Sequence, residues 1–454
     1  MSTHLPRGLT GAQVQSRAVR VLGTAQVFSG LGNGATLSLG SILAVDLSGT
    51  EATAGLVNTA MTLGSALISI PLAQLALDRG RRVSLSAGLA AGLVGQALMV
   101  TAVFTRFFPL LLVGAFLVGF GAAVNLQARF AVTDLAEPER RGRALSVVVW
   151  AVTVGAVLGP NLVGPGAVLS DALGIPAHAG PFLISAAGML IGWLIILIGL
   201  RPDPLLVRRS LDEARSPADA EQPVDLAPPR GRLPFGIDRW GQGWAAVRPH
   251  PAALAAVVSV VAAHGVMVGL MSMTPLHIQH EAGLTSQQLH SHPDVVVLIG
   301  FTLSLHVAGM YALSPVMGVL ADRWGPVRTV VGGLCLLLAA TALTALLPQV
   351  HGAVVAGLIL LGLGWSAVTV AGSTLLVAAL SPADRVPAQG FSDAVMSLSG
   401  ALTSVVAGVI MGTLGYAGLS VLLAVVVVAA MTTVLRLGRR DRVDPSTAPP
   451  VSTA

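Results

Sequence analysis

The chain has 454 residues, of which 54% are hydrophobic and only 10% charged, with a formal charge of +5. That much apolar surface excludes a soluble globular protein, and repeated runs of about 20 apolar residues read as bilayer-spanning helices. All 26 basic residues are Arg, so a Gly-x-x-x-x-Gly-Lys phosphate loop is excluded. No enzyme active site and no cofactor is expected, and the loop arginines serve membrane topology rather than nucleic acid.

The first apolar stretch follows Arg17 and Arg20 and is too long for the core of a signal peptide, so it is read as a retained helix. Twelve spans follow from the hydropathy pattern, at 20–46, 52–77, 84–105, 110–133, 144–166, 181–201, 251–275, 294–320, 329–348, 352–379, 391–414 and 418–437. They divide the chain into a tail (1–19), a first six-helix bundle (20–201), a linker (202–250), a second bundle (251–437) and a second tail (438–454). The linker is rich in Pro, Arg, Asp and Glu, with a short interfacial helix expected around "RWGQGWAAV" (239–247). With the N-terminus in the cytoplasm, every Arg except Arg106 falls in an inner loop, tail or helix end. This bias predicts cytoplasmic termini and residence in a bacterial inner membrane. The lone Cys335 cannot form an intrachain disulfide.

The halves repeat. Pro71 and Pro315 are 244 residues apart, as are Asp78 and Asp322, and "PERRGRA" (138–144) matches "PADRVPA" (382–388) at the same offset. A constant offset over loop and helix features indicates duplication of six spans. That predicts an all-α membrane protein of two pseudo-symmetric six-helix bundles, a secondary carrier with its site between the halves. A monomer is expected, with the bilayer and a transported small ion or molecule as its partners.

On these motifs the chain resembles the major facilitator superfamily over essentially its whole length. The family's loop after its second helix reads Gly-x-x-x-Asp-Arg-x-Gly-Arg-Arg. The second copy here, Gly318, Asp322, Arg323, Gly325 and Arg328, fits it; the first, Asp78, Arg79, Gly80, Arg81 and Arg82, is one residue short and has Gln74 in place of the first Gly. The resemblance implies that this cluster latches the outward-open state; plain topological anchoring explains the arginines but not the repeated Asp. In span five, "GAVLGPNLVGPG" (155–166) resembles a Gly-Pro element of family antiporters. Gly159 and Pro160 would then favour proton-coupled export, the competing account being a packing hinge. The Arg found in the fourth helix of many family proton antiporters is replaced by Ala115.

No Asp or Glu is expected near the middle of a span; Asp393, like Asp46, Asp78, Asp134 and Asp322, is placed towards a helix end. The ionisable groups that reach midspan are His264 and His306, and such groups are functional candidates by default. His264, Met267 and Met271 share one stripe of span seven, and His306 and Met310 lie one turn apart on span eight. The two histidines are predicted at a common depth. Thioether and imidazole suit copper, a soft ion that neutral ligands release readily. The pairs Met267/Met271 and His306/Met310 resemble the pattern of the CcoA-like copper importers of this superfamily. That resemblance implies copper as substrate held at these four positions, and His264, on the same stripe of span seven, is a further candidate donor. Outside, His277, His280, His290 and His292 are candidate metal collectors or simply a solvated loop. The alternatives are proton-coupled efflux of a small hydrophobic compound and plain core packing by Met and His.

Overall fold

The computed structural model describes residues 10–49, 53, 55–158, 162–176, 179–215, 237–283 and 293–443, which are helical with no strand. The first half comprises α1 (Gly11–Ser48), α2 (Leu56–Arg79), α3 (Arg81–Thr105), α4 (Phe108–Ala131), α5 (Arg141–Leu158), α6 (Val163–Leu173) and α7 (Ala179–Gly199). Two linker helices follow, α8 (Pro204–Arg215) and α9 (Ile237–Val247). The second half comprises α10 (Pro251–Glu281), α11 (Pro293–Tyr311), α12 (Ser314–Trp324), α13 (Pro326–Leu346), α14 (His351–Ala378) and α15 (Pro382–Val443). Among the described residues, nine helical segments are long and apolar enough to cross a membrane.

Several boundaries differ from the hydropathy pattern, among them the start of α1 at Gly11 and the end of α10 at Glu281, and four have a local reason. Span five ends at Leu158 and a new helix begins at Val163; Gly159 and Pro160 lie outside the described residues. Span eight is two helices, α11 and α12, joined where Ser314 and Pro315 restart the chain. The last two predicted spans form one helical run, broken at Gly415, whose φ of 68° only glycine adopts readily. Finally, this run starts at Pro382 rather than 391, because the polar segment 382–390 is itself helical. Asp393 is therefore eleven residues inside a helix and fully buried, which corrects its expected place near a helix end.

Each half has its own apolar core. In the first, Leu22, Leu85, Leu89 and Met189 form one cluster and Leu43, Met99, Leu111 and Phe182 another. In the second, Met267, Leu334, Leu358, Trp365 and Leu419 belong to a single cluster. Helices pass at backbone contact through small residues, as bilayer packing favours. A Cβ on Gly119 of α4 would lie 2.0 Å from the Met61 carbonyl of α2, and one on Gly64 would lie 2.0 Å from that of Phe116. Gly155 of α5 likewise meets the Gly30 backbone of α1.

The halves meet along two seams, α2 against α15 and α5 against α12. The linker helices clamp one end of this arrangement. Arg209 of α8 donates to the Leu77 carbonyl at the end of α2 (2.7 Å), while Trp240 and Trp244 of α9 pack on Phe391 of α15.

The close approach of α2 and α4 is testable. G119V should sharply reduce the detergent-extractable, monodisperse protein, whereas G332V, whose Cβ meets open space, should leave it near wild type by fluorescence-detected size-exclusion chromatography.

Candidate functional site

The seam between the halves carries the most deeply buried charges among the described residues. Arg129 lies near the end of α4, and its Nη2 donates to Oδ1 of Asp393 on α15 at 2.6 Å; the side chains are 2% and 0% exposed. Arg129 Nε and Asp393 Oδ2 have no further partner among the described residues. Next to this pair, Arg81, the first residue of α3, binds Asp134 with two hydrogen bonds (2.9 and 3.0 Å) and Gln389 of α15 with a third (2.7 Å). Burial pushes the Asp134 carboxyl above its usual range, with Arg81 pulling it back. Ser65 of α2 faces Ser397 of α15 at 3.4 Å, and a Cβ on Gly390 would lie 2.4 Å from that of Ala73. The ion pairs and the Gly390–Ala73 contact lie towards the arginine-rich end of the molecule, with Ser65 and Ser397 nearer the middle of their helices.

The duplicated loops do not behave alike. Asp322 at the end of α12 accepts from the backbone N–H groups of Gly142 (2.9 Å) and Arg143 (3.0 Å), capping α5 of the other bundle. Asp78 is exposed and caps no helix among the described residues. The two copies diverge in the turn that follows the carboxylate and in the helix end it would face. Gly80 and Gly325 make the same turn (φ 88° and 89°), but Asp78 precedes its glycine by two positions and Asp322 by three. Asp78 and Asp322 each lie seven residues after the matching proline, Pro71 and Pro315, so the carboxylates keep the same helical phase and the deletion shortens only the turn into α3. At the 244-residue offset the counterpart of Arg143 is Pro387, which has no N–H to offer. Arg81, rather than Asp78, ties the first bundle's loop to α15. Asp203, which follows α7, accepts from Arg82 N (2.7 Å) and so caps α3 within its own half. Arg79, Arg323 and Arg328 are exposed.

Above the ion pair the two halves present different chemistry. From the first, Asn125, one turn before Arg129, binds Ser29 Oγ (2.8 Å) through its side chain and Gln26 Nε2 (3.0 Å) through its carbonyl. From the second come three rings: Trp365 lies edge-on to Tyr311 (centroids 5.6 Å) and tilted against His264 (6.3 Å). Trp365 Nε1 donates to His264 Nδ1 (3.2 Å), which places the imidazole proton on Nε2.

His306 is arranged in the opposite sense. Its Nδ1 bonds the Leu358 carbonyl (2.8 Å), and since a carbonyl only accepts, Nδ1 carries the proton. Nε2 is a bare, buried lone pair with no partner among the described residues. Met267 and Met310 are buried in the second bundle's apolar core, and Met271 packs against it. The histidines do not share a depth. α10 continues to Glu281, so His264 is 17 residues from its outer end, whereas His306 is 13 from the start of α11. By the same count Met267 levels with His306, and Met310 with His264.

Of the outer histidines, His277 stacks on Tyr416 (4.2 Å) and bonds the Pro348 carbonyl (2.7 Å), and His280 is exposed; His290 and His292 lie outside the described residues. Among the described residues no three His, Cys, Asp or Glu side chains gather as a metal site. The sequence reading missed the Arg129–Asp393 pair. Its signal was present, since an Arg and an Asp inside apolar helices require partners, but the late start assigned to span eleven concealed it.

Two helical bundles meeting around buried polar and charged groups define a multi-pass membrane transport protein rather than an enzyme. The chain belongs to the major facilitator superfamily: the model described as "Major Facilitator Superfamily" matches residues 22–292 and 285–453. It is 32% identical over 430 residues to an uncharacterized MFS-type transporter, YddS, of Bacillus subtilis, covering 94% of this chain and 92% of that one. It is 26% identical over 408 residues to the riboflavin transporter RfnT of Brucella anthropi, covering 90% and 92%. Among solved structures it resembles the human organic anion transporter MFSD10 in fold, with a TM-score of 0.68 at 18% identity over 92% of this chain and 99% of that one.

Removing one partner of the Arg129–Asp393 pair strands a buried charge. R129L should therefore lower stability by about 3–5 kcal/mol in detergent thermal unfolding, and R129L/D393L should recover most of it.

Proposed function

We propose that the protein is a proton-coupled secondary carrier of the bacterial inner membrane, with cytoplasmic termini, that moves a small planar organic molecule by alternating access. The observation that carries this reading is the buried Arg129–Asp393 pair joining the two bundles. With the arginine-rich face against the cytoplasm, the pair and its neighbours close the inner side, and the cargo enters from outside. A carboxylate there offers a mechanism: protonation neutralises Asp393, removes the attraction across the seam and frees the bundles to part. The rings of Trp365, Tyr311 and His264 offer a stacking face to a flat cargo, and Asn125 with Gln26 and Ser29 offers hydrogen bonds to its polar edge. RfnT, a riboflavin transporter by name, makes riboflavin the first molecule to try.

Copper is the second reading, favoured by one observation: His306 Nε2 is unpaired, with its other nitrogen oriented by a carbonyl as metal-binding histidines usually are. Met267 at that level and Met310 one turn further in would supply thioether sulfur, with Met271 further out; His264 would join only by giving up its bond to Trp365.

Proteoliposomes separate the two. With an imposed pH gradient, riboflavin flux should appear, W365A should weaken half-saturation about tenfold, and D393N should abolish coupling to the gradient. Copper flux lost in M267L/H306Q, without any response to W365A, would replace this proposal by the second.

A further inference from the structure

A groove on the outside of the first bundle, remote from both seams, has a chemistry that transport does not use. It is an open, shallow depression of about 370 Å³ between α1 and α7, lined by Arg17, Arg20, Val21, Thr24 and Ile195. The four α1 residues fall at i, i+3, i+4 and i+7, so they form one stripe. Both arginines are held by their Nε atoms: Arg17 donates to the Gly199 carbonyl at the end of α7 (3.1 Å), and Arg20 to Ser16 of its own helix (3.4 Å). No carboxylate pairs with either one among the described residues. Two guanidinium forks whose terminal N–H groups have no partner among the described residues therefore stand at the groove, at the arginine-rich end of the bundle.

Its walls continue as hydrocarbon. Ile191, Leu194 and Ile198 of α7 are exposed, Ile198 to 66%, and with Ile195 they form a stripe running from the arginines towards the middle of the helix. A soluble anion would be satisfied by the forks alone and has no use for that stripe. A molecule with an anionic head and apolar tails fits both features, because guanidinium bonds phosphate oxygens in pairs while acyl chains cover the isoleucines. Plain topological anchoring asks only for positive charge near the interface. It calls for neither a shared groove nor Nε atoms tied to backbone.

We propose that the groove between α1 and α7 is a binding site for the phosphate headgroup of an anionic phospholipid, held by Arg17 and Arg20, with its tails along Ile191, Leu194, Ile195 and Ile198. The bound lipid staples α1 to the C-terminal end of α7, where the backbone already takes one bond from Arg17.

The test is native mass spectrometry of the purified, delipidated full chain, titrated with phosphatidylglycerol, with phosphatidylcholine, and with glycerol phosphate, which carries the head without tails. Phosphatidylglycerol adducts should persist on the wild type and bind about thirtyfold more weakly to R17A/R20A, the loss of two interfacial arginines. The control R140A/R436A removes the same charge from exposed positions on the same end and should bind as the wild type does. Equal losses in the two double variants would reduce the groove to unlocalised charge and overturn the proposal. So would equal binding of phosphatidylcholine, or glycerol phosphate binding as tightly as the lipid, which would make this a free-phosphate site. If R17A/R20A does not assemble, R17Q and R20Q alone decide: each should weaken phosphatidylglycerol binding, and no change in either sinks the site.

Discussion

Two opposite charges, Arg129 and Asp393, are held out of water where one bundle meets the other. Desolvating such a pair costs several kcal/mol for each ion, and only close, well-directed contact offsets it. The pair therefore imposes a condition on any rearrangement of the seam: if the bundles part there, each charge must find water, a new partner or a proton. A packed apolar seam would impose no such condition, since its separation could be lubricated by lipid or solvent at any time. Burial of this pair makes closure of the arginine-rich end conditional on charge state, and the surrounding contacts share that dependence. Arg81 bridges Asp134 and Gln389 beside it, and Phe130, against which the Arg129 guanidinium packs at 4.8 Å, enters the second bundle's cluster with Leu376 and Ala388.

Duplication produced the two halves, but the seam they make is not symmetric. One residue is missing from the turn between Asp78 and Gly80, and Pro387 lacks the N–H that Arg143 offers at the corresponding position of the other seam. The first bundle reaches α15 through side chains, whereas the second reaches α5 through a carboxylate on backbone amides. The second kind of contact is a helix cap that needs only a fixed backbone. The first involves ionisable and amide side chains that have alternative partners. The latches on the two seams thus have different chemistry, and a change of charge at Asp393 acts directly on the α15 side.

Much of this architecture was legible in the chain, because bilayer helices follow from runs of apolar residues and the repeat follows from a constant offset. Hydropathy could not show that polar segment 382–390 continues the helix, since a sheltered polar turn and an exposed loop have the same composition. That one boundary hid Asp393. The midspan histidines were identifiable because imidazole inside an apolar helix demands a reason. Their partners were not, because Leu358 contributes only a backbone carbonyl, and no side chain in the sequence signals that. The shared depth failed for a related reason. Pro275 looked like an end of span seven, yet α10 runs through it to Glu281, moving the reference from which depth is counted.

The competing cargoes are separated by where two protons reside. α14 holds both histidines, His264 through the Trp365 indole and His306 through the Leu358 carbonyl, two turns apart. An indole N–H can only donate, so it consumes the His264 Nδ1 lone pair and leaves an N–H on Nε2, a group suited to an organic acceptor and not to a cation. A carbonyl can only accept, so it leaves His306 with a lone pair directed away, suited to a metal ion or to a donor. The same helix thus prepares one ring to give a hydrogen bond and the other to receive one. A polar organic cargo lying across these two levels could use both rings as they stand, whereas copper could use only the outer one without first breaking the bond to Trp365. That difference in reorganisation is the physical ground for placing the organic molecule first.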